Sequence, residues 1–170
     1  MTRRMLVMHW VASCVLLMPM ATWAAQPSVQ VEPSNLQGSR AVEKQTETAV
    51  IRDYLQSWQS LRTAMQQNRP NLLNPDFVGT ARDKLTDTIR EQAKLGLRTR
   101  YLDRSHDLQI VFYSPEGLSL QMIDTVAYSE QVLDHGKSLT TQQLHARYIV
   151  VMTPAEARWQ VRIFQAEPAR

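Results

Sequence analysis

Cysteine is all but missing: the 170-residue chain has one, Cys14, inside an N-terminal apolar run. Once that run is removed, disulfides, thiolate nucleophiles and cysteine-ligated zinc are excluded. Stability must then come from one apolar core, which a chain of this size can bury. Glycine is scarce, with five residues, and none builds a phosphate-cradling loop; G-x-S-x-G and paired-histidine zinc motifs are missing too. No metal site and no cofactor is implied. A surplus of one charge is also lacking. The N-terminal run carries two of the 19 basic residues and none of the 16 acidic ones, so the remainder is close to neutral. Such a balance gives no global field to gather nucleic acid or anionic lipid.

What the N-terminus does have is the pattern of a secretory leader. Arg3 and Arg4 precede an apolar stretch from Met5 to Met18, and Pro19 breaks it. Thr22-Trp23-Ala24 then sets small residues at the two positions a signal peptidase reads. Cleavage after Ala24 is expected, leaving Ala25 first and the protein periplasmic or secreted. The apolar run is shorter than the ~20 residues that span a bilayer, so no membrane span is expected after cleavage. The alternatives are an uncleaved anchor and a lipidated Cys14, since Val11-Ala12-Ser13-Cys14 fits a lipobox. Against the latter, the apolar run continues through Val15, Leu16 and Leu17.

Residues 1–24 are therefore read as the signal peptide and 25–45 as a disordered linker of Gln, Ser, Pro and Asn without period. Residues 46–165 form one folded domain, and 166–170 a tail. From Glu47 to Gln67, Val50, Ile51, Tyr54, Leu55, Trp58, Leu61 and Met65 recur at three and four, an apolar stripe on a helix. Pro70 and Pro75 interrupt it. A thinner stripe of Ala81, Leu85 and Ile89 predicts a second helix, capped by Asp76 or Thr80 and stopped at Gly96. The period then changes to two. Leu108, Ile110 and Phe112 mark one strand; Leu118, Leu120, Met122, Val126, Tyr128 and Val132 the next; Leu144, Tyr148, Val150 and Met152 a third; Trp159, Val161 and Ile163 the last. Short turns join them. The fold class is α+β, with helices packed on one face of a curved four-stranded antiparallel sheet. Tyr54, Trp58, Leu61, Leu85, Leu120, Val126, Tyr148, Trp159 and Val161 are the expected common core.

Two helices followed by such a meander, with a long strand from Leu118 to Leu133 and a closing strand that opens Trp159-Gln160-Val161-Arg162-Ile163, resemble the nuclear-transport-factor-2-like superfamily. Its members, ketosteroid-isomerase-like proteins among them, wrap helices over a strongly curved sheet to form a cone. The resemblance covers about residues 46–164 and is closest to non-catalytic exported branches. Because the superfamily holds isomerases, dehydratases, ring cyclases and scaffolds, it implies the cone without choosing an activity.

Within that frame, the inward row of the second strand is interrupted by Asp124 and Glu130. A carboxylate among Met and Val side chains is desolvated in the direction a general base needs. Asp124 as base with Tyr128 as hydrogen-bond donor is thus the candidate catalytic pair, acting on a small apolar ligand held in the cone. The opposing expectation is a bend or bulge that removes either carboxylate from the cavity. His106 could face the cone mouth, while His135 and His145 read as solvated. Arg90, Lys94, Arg98, Arg100 and Arg104 cluster around Tyr101 and read as a solvated face.

The opposite side of the sheet carries Val111, Tyr113, Ile123, Ile149, Val151 and Phe164. Drawn from all four strands, they predict a contiguous apolar face for a homodimer or an envelope protein partner. Two functions follow as expectations. One is an exported, non-catalytic binding or assembly module acting through that convex face; the other is a small-molecule isomerase, dehydratase or carrier using the cone with Asp124 and Tyr128.

Overall fold

The computed structural model describes residues 26–36 and 40–167. The expected leader, with Cys14 and the expected cleavage site, and the last three residues lie outside the described residues. Among the described residues no helix is long and apolar enough to cross a membrane.

The element order is β1 (Ser28–Val31), α1 (Lys44–Gln67), a 3₁₀ turn (Pro70–Leu73), α2 (Gly79–Lys94), β2 (Leu97–Tyr113), β3 (Leu120–Asp134), β4 (Lys137–Pro154) and β5 (Trp159–Ala166). The stripe on α1 buries Val50, Tyr54, Trp58, Leu61 and Met65. Asn68 ends the helix in the left-handed region, its amide returning to the Ala64 carbonyl, as a short polar side chain permits. Pro70 then opens the 3₁₀ turn, where its missing N–H costs nothing. For α2, Val78 is the N-terminal flanking residue and no side chain caps it. Asp76, expected as a cap, instead accepts from Ser60 and Arg158.

β2 to β5 form an antiparallel meander, in sheet order β1-β2-β3-β4-β5. His135 and Gly136, both at positive φ, make the tight turn between β3 and β4, with the hand that matches strand twist. The fifth strand corrects the linker assignment. Ser28–Val31 pairs in parallel with Ser105–Leu108 on the β2 edge, and Leu36 and Val42 pack against the core. Alternation of Val29 and Val31 over four residues was too short a pattern to stand out beside the prolines.

Four register shifts bend the sheet, at Asp103/Ser105 and Ile110/Phe112 in β2, Val132/Leu133 between β3 and β4, and Val151/Met152 between β4 and β5. Each extra residue exchanges the faces of the residues beyond it. Of the expected core, Tyr54, Trp58, Leu61, Leu120, Val126 and Val161 are buried, with Leu85, Tyr148 and Trp159 half-buried against them. Phe77, Leu73, Leu108, Met122 and Met152 complete it.

Candidate functional site

The concave face of the sheet meets α1 around a fully buried carboxylate. Asp124, in the middle of β3, is 0% exposed. Its Oδ2 accepts from the Tyr54 hydroxyl at 2.6 Å and faces His106 Nδ1 at 2.9 Å. Tyr54 in turn accepts from Trp58 Nε1 at 2.8 Å. Tyr54 and Trp58 are one helical turn apart, so the helix itself aligns them. Asp124 thereby ties α1 to β2 and β3.

The other side of His106 looks toward Asp103. Nε2 lies 3.9 Å from Asp103 Oδ2, which also pairs with Arg62 at 3.0 Å. A strand would normally send residues three apart to opposite faces; the bulge at residue 104 turns both Asp103 and His106 inward. Burial acts to lower the His106 pKa, but the hydrogen bonds and charges of Asp103 and Asp124 together outweigh it and raise it to about 9. His106 is therefore an imidazolium at neutral pH, and two cations, His106 and Arg62, balance two carboxylates. Burial first, and then the Asp124 charge, hold the Tyr54 hydroxyl well above its usual range, so it remains a donor.

Aromatic rings pack closely around this cluster. Trp58 lies against His106, Tyr128, Tyr148 and Phe164, with ring centroids 5.2 to 6.2 Å away. Phe164 stacks on Tyr148 at 4.5 Å. Tyr128 and Asp124 share the inner face, but their polar ends go to different partners: the Tyr128 hydroxyl pairs with Tyr148 at 3.3 Å. The second inward acid, Glu130, lies at the rim and accepts from Gln142.

A cleft of 460 Å³ opens at the cone mouth between α1, β2 and the N-terminal arm, lined among others by Gln26, Pro27, Trp58, Arg62, Asp103 and His106. A groove of 510 Å³ on the α2 surface, among Arg82, Asp87 and Arg90, includes no buried residue. Among the described residues no group of His, Cys, Asp and Glu is placed to hold a metal ion.

The convex face keeps part of its expected set and loses two members. Ile123 lies opposite Ile149, and Val151 opposite Ile163. Val111 is the extra residue of the second β2 bulge. Beyond that bulge Tyr113 turns inward, buried at 5% exposure beside Trp159. Phe164 likewise belongs to the core, because the bulge beside Met152 exchanges it with Ile163, which had been expected inside and is 39% exposed. Tyr101 also turns inward, edge-on to Tyr128.

Sequence reasoning treated Tyr54 as core alone, gave His106 little weight and passed over Asp103 and Arg62. No local motif could have joined them. Tyr54 and Asp124 are 70 positions apart, and Asp103 reaches the cluster through a bulge.

No family model matches the chain, and no curated protein matches it. Among solved structures it is similar to the intermembrane-space region of the chloroplast protein ARC6, at 16% identity and a TM-score of 0.60, covering 76% of this chain and 100% of that one. It also matches a protein described as a candidate scytalone dehydratase from Novosphingobium aromaticivorans, at 12% identity and a TM-score of 0.49, covering 75% and 94%. At such identities the likeness to the first concerns the fold alone: helices packed over a curved, mostly antiparallel sheet.

Proposed function

We propose that this chain of nuclear-transport-factor-2-like fold is an exported, non-catalytic binding or assembly module that docks a protein partner on the outer face of its sheet. The observation that carries the reading is the apolar strip on that face. Ile123–Ile149 and Val151–Ile163 are cross-strand pairs on three adjacent strands, so their side chains adjoin. Among the described residues no helix covers that side, α1 and α2 packing on the inner face with Phe77; Ile149 and Val151 are half-buried and Ile163 exposed, while Ile123 is buried between its neighbours. At ~25 cal/mol per Å² of apolar surface removed from water, closing such a strip against a partner drives association, although ordering and lost motion offset much of it.

The isomerase, dehydratase or carrier reading needs an open cone in which Asp124 and Tyr128 converge. A fully buried Asp124 whose Oδ2 is committed to Tyr54 and His106, beneath the packed rings of Trp58 and Phe164 and not lining the cleft at the cone mouth, favours the binding module. Export rests on the leader. Mass spectrometry of the exported protein should find Ala25 or Gln26 first, and a retained leader or acylated Cys14 would replace export by anchoring.

The interface is tested by Ile149→Lys together with Ile163→Lys, both outward and outside the buried core. Light scattering at tens of micromolar should show wild type associated and the double variant monomeric, with unchanged circular dichroism. A monomeric wild type whose cross-linked envelope partners are all retained by the double variant refutes the reading.

A further inference from the structure

The outer face of the sheet carries charge as well as aliphatics. One row across it reads Asp107 on β2, Thr125 on β3 and Arg147 on β4, each in register with the next. Directly opposed residues share a face. Both charges therefore stand beside the Ile123–Ile149 pair, which forms the neighbouring row of β3 and β4. One row further on, Phe112 is opposite Gln121, and Gln121 opposite Val151, so the second β2 bulge has brought a phenylalanine to the same side.

The two charges differ in how they are answered. Arg147 is exposed and donates to Glu167, with other guanidinium N–H groups to spare. Asp107 makes no ion pair among the described residues, and its Oδ1 is buried without a hydrogen-bond partner. Asp103 and Asp124 also have one such oxygen each, but they face inward and their other oxygen is held, by Arg62 or by Tyr54 and His106. Asp107 alone of the three lies on the outer face, where a depression of 240 Å³ opens beside it, lined among others by Gln30, Ser105, Thr125 and His145. A carboxylate partly withdrawn from water and lacking a cation favours a cation brought from outside.

We propose that the occupant of the outer face is a second copy of this chain, related by a two-fold axis running along β3, with Asp107 of each copy paired to Arg147 of the other. The inference rests on the outer-face reading above and gives that face its partner and its register. A two-fold interface uses one patch twice, so the patch must complement itself. β2 and β4 flank β3, and an axis along β3 exchanges them. It sets Asp107 over Arg147 twice, Ile123 over its own copy and Phe112 over Val151. An axis across the strands at the same row sets Asp107 over Asp107 and Arg147 over Arg147, which like-charge repulsion disfavours. Facing sheets lie ~10 Å apart, a gap that the long arginine side chain closes.

The test is charge reversal followed by mixing. Sedimentation of the wild-type protein at tens of micromolar should show a dimer. Asp107→Arg alone, or Arg147→Asp alone, should weaken self-association at least ~100-fold, because each sets like charges at both pairs. Mixing the two variants should restore a dimer, since both pairs are then arginine with aspartate. Asp107→Asn and Arg147→Gln, which keep the shape of the side chains better, should each weaken the dimer about 2- to 30-fold; they decide the matter if circular dichroism finds a reversal variant unfolded. A dimer that neither reversal nor neutralisation weakens, or that mixing does not restore, overturns the proposal. If Ile149→Lys with Ile163→Lys still breaks that dimer, the outer-face reading stands without this register. A monomeric wild type also overturns the proposal and leaves the outer face to a different protein, which the cross-linking above decides.

Discussion

The inner and outer faces of this sheet are built from the same strands, yet they solve opposite problems. The inner face buries a charge, Asp124, and answers its Oδ2 with Tyr54 and His106, which draw Trp58 and Asp103 into the same network, while its buried Oδ1 has no hydrogen-bond partner among the described residues. The outer face sets aliphatics in a strip, a buried Ile123 with the half-buried Ile149 and Val151 and the exposed Ile163, over which no helix lies among the described residues. A polar residue inside costs little when each partner is supplied and a great deal when one is withdrawn. An apolar residue outside costs the fold little and is available to a partner. Damage inside should therefore be read in stability, and damage outside in association.

The comparison breaks most directly at Asp124. Asp124→Leu leaves the His106 imidazolium without its closest carboxylate and the Tyr54 hydroxyl without an acceptor, all inside the core. Withdrawing one member of a buried ion pair costs ~3–5 kcal/mol, and urea unfolding should show a loss of that order. A loss below ~1 kcal/mol would mean the network is not structural and would reopen a functional role for Asp124.

Protonation of the same cluster gives the next test. The His106 pKa is raised from an ordinary 6.5 to about 9, so the folded state holds its proton more tightly than the unfolded chain. That stabilisation is fully present below pH ~6.5 and is lost as pH rises through about 9. Urea midpoints measured from pH 6 to pH 10 should decline over this window, and His106→Gln should flatten the decline. An unchanged slope in the variant would place the titration elsewhere.

Neighbours at the β5 bulge sharpen the contrast with smaller effects. Phe164→Ala removes a ring stacked on Tyr148 and edge-on to Trp58; since Phe164 is half-buried, the loss should fall near or below the lower end of the ~3–5 kcal/mol seen for core phenylalanines. Ile163→Ala should cost less than ~1 kcal/mol. The reverse order in chemical denaturation would return Phe164 to the outer face.

Much of the architecture follows from local pattern. The three-and-four stripe on α1, the change to period two after Gly96, and the short turns at Ser114 and His135 dictate helices, strands and an antiparallel meander, because each depends on residues close in sequence. The inward position of Asp124 was legible for the same reason: β3 carries Leu120, Met122, Asp124, Val126 and Tyr128 on one side, the extra residues at the two shifts of the β2–β3 pair falling in β2.

What the tertiary structure alone decided is where alternation stops and who meets whom. Bulges send Tyr113 and Phe164 inward, Ile163 outward, and Asp103 and His106 to the same side, and a bulge is stabilised by curvature over the helices more than by its own residues. β1 forms because the β2 edge is there to receive it. The partners of Asp124 lie 70 and 18 positions away, and a carboxylate that read as a base becomes a cross-tie because packing α1 on the sheet brings a tyrosine and a histidine to it.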